Sequence, residues 1–213
     1  MTTQDYEIDL NKRYILAGDI SASMQSKDPA CKGLSRYEYM VEKFESFIQA
    51  SEGFSKEGTT VLLFGENVKT FQNVTLEKIK KDVENVTFEG FTFTDKVVKA
   101  AWQIHREQKS ALAKEGKVHP GTVLLVFTDG QPSNKVALQT EIENISNNLD
   151  RNEEFCIQLV TVGTIEASLQ QYLHGLDEEL DNAKYDIVEI KKLEEIGDFT
   201  SAVVASQTHQ RYA

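Results

Sequence analysis

Basic charge is scarce in this chain: 23 Lys and Arg stand against 34 Asp and Glu, a net charge of −11 over 213 residues. The basic residues are scattered in pairs such as Lys80-Lys81 and Lys191-Lys192, so there is no cationic stripe to meet a phosphate backbone or an anionic lipid surface. Nucleic acid and membrane are not expected partners. No apolar run approaches the roughly 20 residues of a membrane span. The first seven residues have neither the charge nor the apolar stretch of a signal peptide, so a cytoplasmic location is expected. Cysteine is equally rare, with only Cys31 and Cys156. Cys156 should open an apolar strand and Cys31 lies in the loop after the first one. A five-residue strand separates the two ends of a sheet by roughly 17 Å, too far for a disulfide, and two free thiols are expected. His105, His119, His174 and His209 lack the paired spacing of zinc sites and read as surface or structural residues. Asn73, Asn85 and Asn144 match the glycosylation pattern, which carries no weight without secretion.

What is present is a chain of 40% hydrophobic residues, enough for one domain with a self-sufficient core. Short apolar runs alternate with helix-period segments, the pattern of a parallel sheet covered on both faces. Six strands are expected, at Arg13–Asp19, Thr59–Gly65, Val68–Gln72, Thr122–Asp129, Phe155–Gly163 and Tyr185–Ile190. Tyr37, Met40, Val41, Phe44, Phe47 and Ile48 have the spacing of a helix with one buried face, and Ser35 with Glu38 makes a capping box at its start. Leu138, Ile142, Ile145 and Leu149 form a second stripe. Val97, Val98, Ala101, Trp102 and Ile104 form a third, on a helix that begins near Thr94-Asp95, and Trp102 there reads as a packing residue. Only Gly65-Glu66-Asn67 separates the second and third strands, which suits a hairpin. The expected fold is therefore an α/β, Rossmann-like, doubly wound sheet of six strands, mostly parallel with one antiparallel edge strand, and helices on both faces. Residues 1–12 read as an N-terminal extension and 13–213 as a single domain.

Three segments carry chemistry. Asp19-Ile20-Ser21-Ala22-Ser23 follows the first apolar run, and a short extended continuation would present one carboxylate and two hydroxyls together at a strand's C-terminal end. Gly90-Phe91-Thr92-Phe93-Thr94-Asp95 precedes the third helix, and Val126-Phe127-Thr128-Asp129-Gly130 ends the fourth strand. A parallel sheet gathers such strand ends at one crevice. Hydroxyl and carboxylate oxygens suit Mg²⁺, Mn²⁺ or Ca²⁺ rather than zinc. Each segment also has a bland reading: Asp-x-Ser-x-Ser and Thr-Asp-Gly as turns, Thr94 as a helix cap.

In these three motifs, and in their order, the chain resembles the von Willebrand factor type A (VWA) family with its metal-ion-dependent adhesion site (MIDAS). The resemblance spans roughly residues 13–199. It implies that Ser21, Ser23 and Thr92 are hydroxyl ligands and that Asp19 and Asp129 hold the metal directly or through its waters. Mg²⁺ is the first expectation, with a sixth position left for an acidic residue of a partner protein. The family's Gly-Gly-Thr reads Gly90-Phe91-Thr92 here, which places Phe91 beside the metal and leaves Thr92, the preferred ligand, in competition with Thr94. The loop Met24–Leu34 is longer than usual, and Asp28, Pro29, Cys31 and Lys32 are expected over the metal face. The chain resembles single-domain intracellular VWA proteins of bacteria and phages that act within assemblies. That implies a non-enzymatic binding module, monomeric on its own, and the stretch Glu194–Ser206 would be the moving element if the domain switched as integrin-type relatives do.

The competing expectation is a phosphotransferase of the haloacid dehalogenase type, with Asp19 as nucleophile, Thr128 on phosphate and Gly197-Asp198 as a late metal motif. Against it, position 21 is Ser where that chemistry needs an acid to protonate the leaving group, Ala202 stands four residues after Asp198, and no insertion supplies a cap domain.

Overall fold

The computed structural model describes residues 12–51, 58–83, 86–178 and 180–193. Most of the expected N-terminal extension, the Glu194–Ser206 stretch, Gly197-Asp198 and His209 lie outside them. Six strands form one sheet: β1 (Arg13–Asp19), β2 (Thr59–Phe64), β3 (Val68–Val74), β4 (Thr122–Thr128), β5 (Phe155–Thr161) and β6 (Val188–Lys192), in the order β3-β2-β1-β4-β5-β6. Every neighbouring pair is parallel except β2 and β3, so the expected fold class and its antiparallel edge strand are observed.

Period-two alternation on the strands builds two cores. Leu16, Val61, Leu63, Val123, Leu125 and Phe127 face one side, where α1 (Arg36–Ser51) and α2 (Leu76–Val83) pack through residues such as Met40, Phe44, Ile79 and Val83. Ile15, Ala17, Leu62, Leu124, Val126 and Ile157 face the other, covered by α3 (Thr94–Lys114), α4 (Lys135–Asn147) and α5 (Ala167–Glu178). The capping box is formed: the Ser35 N–H donates to Glu38 Oε2 at 2.8 Å and the Glu38 N–H to Ser35 Oγ at 3.1 Å. Trp102 is buried, and Cys31 and Cys156 are buried thiols outside any disulfide. Among the described residues no helix is long and apolar enough to cross a membrane.

Two expectations are corrected. β6 starts at Val188 rather than Tyr185, because the Tyr185 N–H donates to Ser146 Oγ and its C=O accepts from the same hydroxyl, both at 2.7 Å; Tyr185 is tied to α4 instead of the sheet. Thr94 does not cap α3: the N-cap position is Phe93, and Thr94 lies inside the helix with its buried hydroxyl unpartnered. Within the Met24–Leu34 loop, Asp28 and Cys31 are buried, whereas Pro29 and Lys32 are exposed.

At the opposite end of the sheet, where β4 and β5 begin, His105 and His119 are buried in ring contact, with centroids 4.6 Å apart. His105 bonds Thr122 Oγ1 at 2.9 Å and Glu154 Oε1 at 3.1 Å, and Lys109 also reaches Glu154. Burial, helped by His105, pushes His119 down to about 4. Burial works against the Glu154 charge, yet hydrogen bonds from Lys109, Asp150 and His105 hold that carboxyl at about 2. Both folded values lie below their unfolded ones, so the stability these groups contribute is complete above about pH 6.5. It is lost first as His119 is protonated on unfolding and then, below about 4.5, through Glu154. Discounted for solvent screening, these two groups together are expected to contribute about 2 kcal/mol less stability at pH 4 than at pH 7, while buried Asp19, whose folded value is raised, works in the opposite sense between about pH 6 and 4. Urea titrations across that range should show the His119 part as a pH-dependent difference between wild type and His119→Gln, which keeps an acceptor for the Gly121 N–H, a difference that opens between about pH 6.5 and 4.

Candidate metal centre

β1 pairs β2 on one side and β4 on the other, so strand order reverses between β1 and β4 and a crevice opens beyond their C-terminal ends. The register sets Gly18 against Phe127, and the next residues along, Asp19 and Thr128, meet at the mouth of that crevice. Asp19 is fully buried. Its Oδ1 accepts from the Ser21 N–H at 2.7 Å and its Oδ2 from the Thr128 hydroxyl at 2.6 Å. Burial pushes its carboxyl up to about 6, against the lowering effect of these bonds.

From there the oxygens form a string: Ser21 Oγ lies 3.0 Å from Ser23 Oγ, which donates to Asp129 Oδ1 at 2.9 Å. Ser23 is exposed, Ser21 and Asp129 are buried. Thr92 joins from the loop before α3. Its backbone exchanges two bonds of 2.9 Å with Ser133, N–H to Oγ and C=O from N–H, and its Oγ1 lies 3.7 Å from where a Cβ on Gly130 would stand. The structure thus gathers Asp19, Ser21, Ser23 and Asp129 into one bonded network, with Thr92 beside it.

Two residues that the motifs do not contain hold this arrangement. Glu89 pairs with the chain at Ser21 through the bonds Glu89 N–H to Ile20 C=O at 2.8 Å and Ala22 N–H to Glu89 C=O at 2.9 Å. Its carboxylate accepts the N–H groups of Glu66 and Asn67 in the β2–β3 turn. It therefore fixes the start of the Gly90-Phe91-Thr92 loop to two strand ends. The other is Arg36, the first residue of α1. Its Nη1 donates to Asp129 Oδ2 at 2.6 Å, its Nε and Nη2 to Asp28 Oδ2 at 3.2 and 3.0 Å, and its Nη2 also to the Thr164 carbonyl at 2.9 Å. Burial works against the Asp28 charge, but bonds from the Thr164 and Ala30 N–H groups and from Arg36 outweigh it and hold the carboxyl below the usual range. A charged residue at the first position of a helix signals nothing about a crevice, so Arg36 was open to discovery only in three dimensions.

Phe91 is half exposed at the rim, 5.6 Å from the Phe93 ring. Among the described residues no group of three His, Cys, Asp or Glu side chains is placed to hold a metal, so a cation here would depend on hydroxyl oxygens. For the competing chemistry the geometry is poor: a nucleophile needs an open oxygen, whereas both Asp19 oxygens are bonded and shielded, and the Thr128 hydroxyl is committed to Asp19.

No family model matches the chain and no curated protein does. Solved structures do. Proximal thread matrix protein 1 from the mussel byssus, with a zinc-occupied MIDAS motif, is 18% identical, with a TM-score of 0.51 over 95% of this chain and 48% of that one. A mutant of the PilB minor pilin from Streptococcus sanguinis is 12% identical, with a TM-score of 0.62 over 94% of this chain and 62% of that one. Manganese-loaded TRAP protein from Plasmodium vivax is 13% identical, with a TM-score of 0.52 over 94% and 74%. The chain thus spans about half the length of the mussel protein. At these identities the likeness is one of fold: the sheet and its helices form a VWA-like, Rossmann-type α/β domain.

Proposed function

We propose that this chain is a non-enzymatic, metal-dependent protein-binding module. Ser21, Ser23 and Thr92 hold a divalent cation with their hydroxyls, Asp19 and Asp129 fix it directly or through its waters, and an acidic side chain of a partner protein completes the coordination. The observation that carries this reading is the string Ser21–Ser23–Asp129, with spacings of 3.0 and 2.9 Å, at the strand-order reversal. The donors are all hydroxyl and carboxylate oxygens, a set that suits a hard divalent cation, with Mg²⁺ the first choice. The zinc-occupied and manganese-loaded neighbours of the same fold support a divalent ion in general.

Ser23 is exposed, so the metal would face outward, and Phe91 offers an apolar contact beside it. With a net charge of −11, the partner's acidic residue should sit among neutral or basic ones. The domain is proposed to work as a monomer in a cytoplasmic setting of bacterial or phage type. Affinity capture in Mg²⁺ and in EDTA, on wild type and Thr92→Ala, tests the mechanism: a partner should be retained by wild type in Mg²⁺ and lost at least tenfold in the other three arms. A partner held equally well in EDTA would overturn it.

A further inference from the structure

We propose that Arg36 is a resident cation of the metal centre that weakens its hold on the divalent ion, so that tight metal binding awaits the partner's carboxylate. The inference rests on the metal-binding reading above. Asp129 divides its oxygens, Oδ1 toward Ser23 and Oδ2 toward the Arg36 guanidinium at 2.6 Å. The metal-facing side is therefore free to keep its geometry while the carboxylate's charge is shared with a guanidinium that cannot ionise away.

The guanidinium is held from several directions. Asp28 Oδ2 accepts from both Nε and Nη2, the Thr164 carbonyl accepts from Nη2, and Asp28 is itself fixed by the Thr164 N–H at 2.8 Å and the Ala30 N–H at 3.0 Å. Swinging Arg36 aside would break its partly buried ion pair with Asp28 as well as its bond to Asp129. Asp28 compensates Arg36 locally but lies on its far side from Asp129. Of the two carboxylates facing the hydroxyls, Asp19 and Asp129, one thus arrives already paired. A divalent ion placed among them meets a fixed like charge nearby, and a partner's carboxylate restores the negative charge that Arg36 removes. Metal and partner should accordingly bind each other's complex more tightly than the free protein.

Mn²⁺ binding followed by electron paramagnetic resonance on the whole chain tests this without reference to any partner. Arg36→Gln is expected to bind Mn²⁺ at least tenfold more tightly than wild type. Arg36→Lys, which keeps the charge and loses the fork, should stay within about threefold of wild type. If Arg36→Gln binds with equal or lower affinity, Arg36 merely positions Asp129 and the inference is overturned while the metal site stands. Absence of Mn²⁺ binding in wild type and variants alike would overturn the metal reading and this inference with it. Arg36→Met is the second neutral variant should Arg36→Gln fail to fold, with the same gain expected. Failure of both neutral variants to fold would make Arg36 a structural clamp and also overturn the proposal.

Discussion

Mg²⁺ or Mn²⁺ added to chelated protein at about 100 times its dissociation constant is expected to stabilise the fold by roughly 2.7 kcal/mol, which for a chain of this length raises Tm by about 5–10 °C. Asp19→Asn should abolish that rise and yet be about 1 kcal/mol more stable than wild type in EDTA at pH 7. The two effects have one origin. Asp19 is a fully buried carboxylate whose pKa is pushed up to about 6 by that burial. Its folded value lies above the unfolded one near 4, so the metal-free protein carries an electrostatic cost above pH 6 that disappears as the pH falls through that window. A cation offsets the cost, and so does an amide, which still offers an acceptor to the Ser21 N–H and places a donor against Thr128. Thermal melts of both proteins in EDTA, Mg²⁺, Mn²⁺ and Ca²⁺ read all of this at once. An equal cation response in Asp19→Asn, or none in wild type, would remove Asp19 from the metal centre.

How far such a site is legible in one dimension depends on what positions each residue. The sheet was legible because period-two and period-3.6 patterns report burial directly, and the three-residue connection Gly65-Glu66-Asn67 leaves room only for a hairpin. That Asp19, Ser21, Ser23 and Asp129 meet at one crevice was legible because strand ends in a parallel sheet converge by topology, while their reading as a ligand set rests on the motif resemblance. α2 was not, since it buries Ile79 and Val83 on an otherwise polar segment. α5 is legible in the helical spacing of Leu169, Leu173 and Leu176. Thr94 was misplaced because capping is decided by backbone angles at Phe93 rather than by the presence of a hydroxyl. Arg36 and the long-range bonds of Asp28 were beyond sequence reasoning for a different reason: their partners Asp129 and Thr164 lie about a hundred residues away or more, and no periodicity encodes such a contact.

That loop network gives Gly163→Ala a large expected structural effect outside the core. Gly163 has φ +73°, and a Cβ there would stand 2.7 Å from Asp28 Oδ2 and 2.9 Å from Arg36 Nε. Neither atom is the loose end of a flexible chain, because Asp28 is pinned by two backbone N–H groups and Arg36 by Asp129 and the Thr164 carbonyl. The left-handed conformation alone costs about 1 kcal/mol with a side chain, and displacing the ion pair sacrifices charge-assisted hydrogen bonds of about 1.5–3 kcal/mol. A total loss of about 2–4 kcal/mol is expected, lowering Tm by about 5–15 °C. Gly116 is the internal control: it has φ +70° at the end of α3 with nothing within 4 Å of its absent Cβ, so Gly116→Ala should lose only the backbone part, about 1 kcal/mol. Urea unfolding of the two variants separates conformational strain from the cradle. Equal losses would mean that the Asp28–Arg36 pair yields to a methyl group without cost, and a pair that yields so easily would not hold the guanidinium against Asp129.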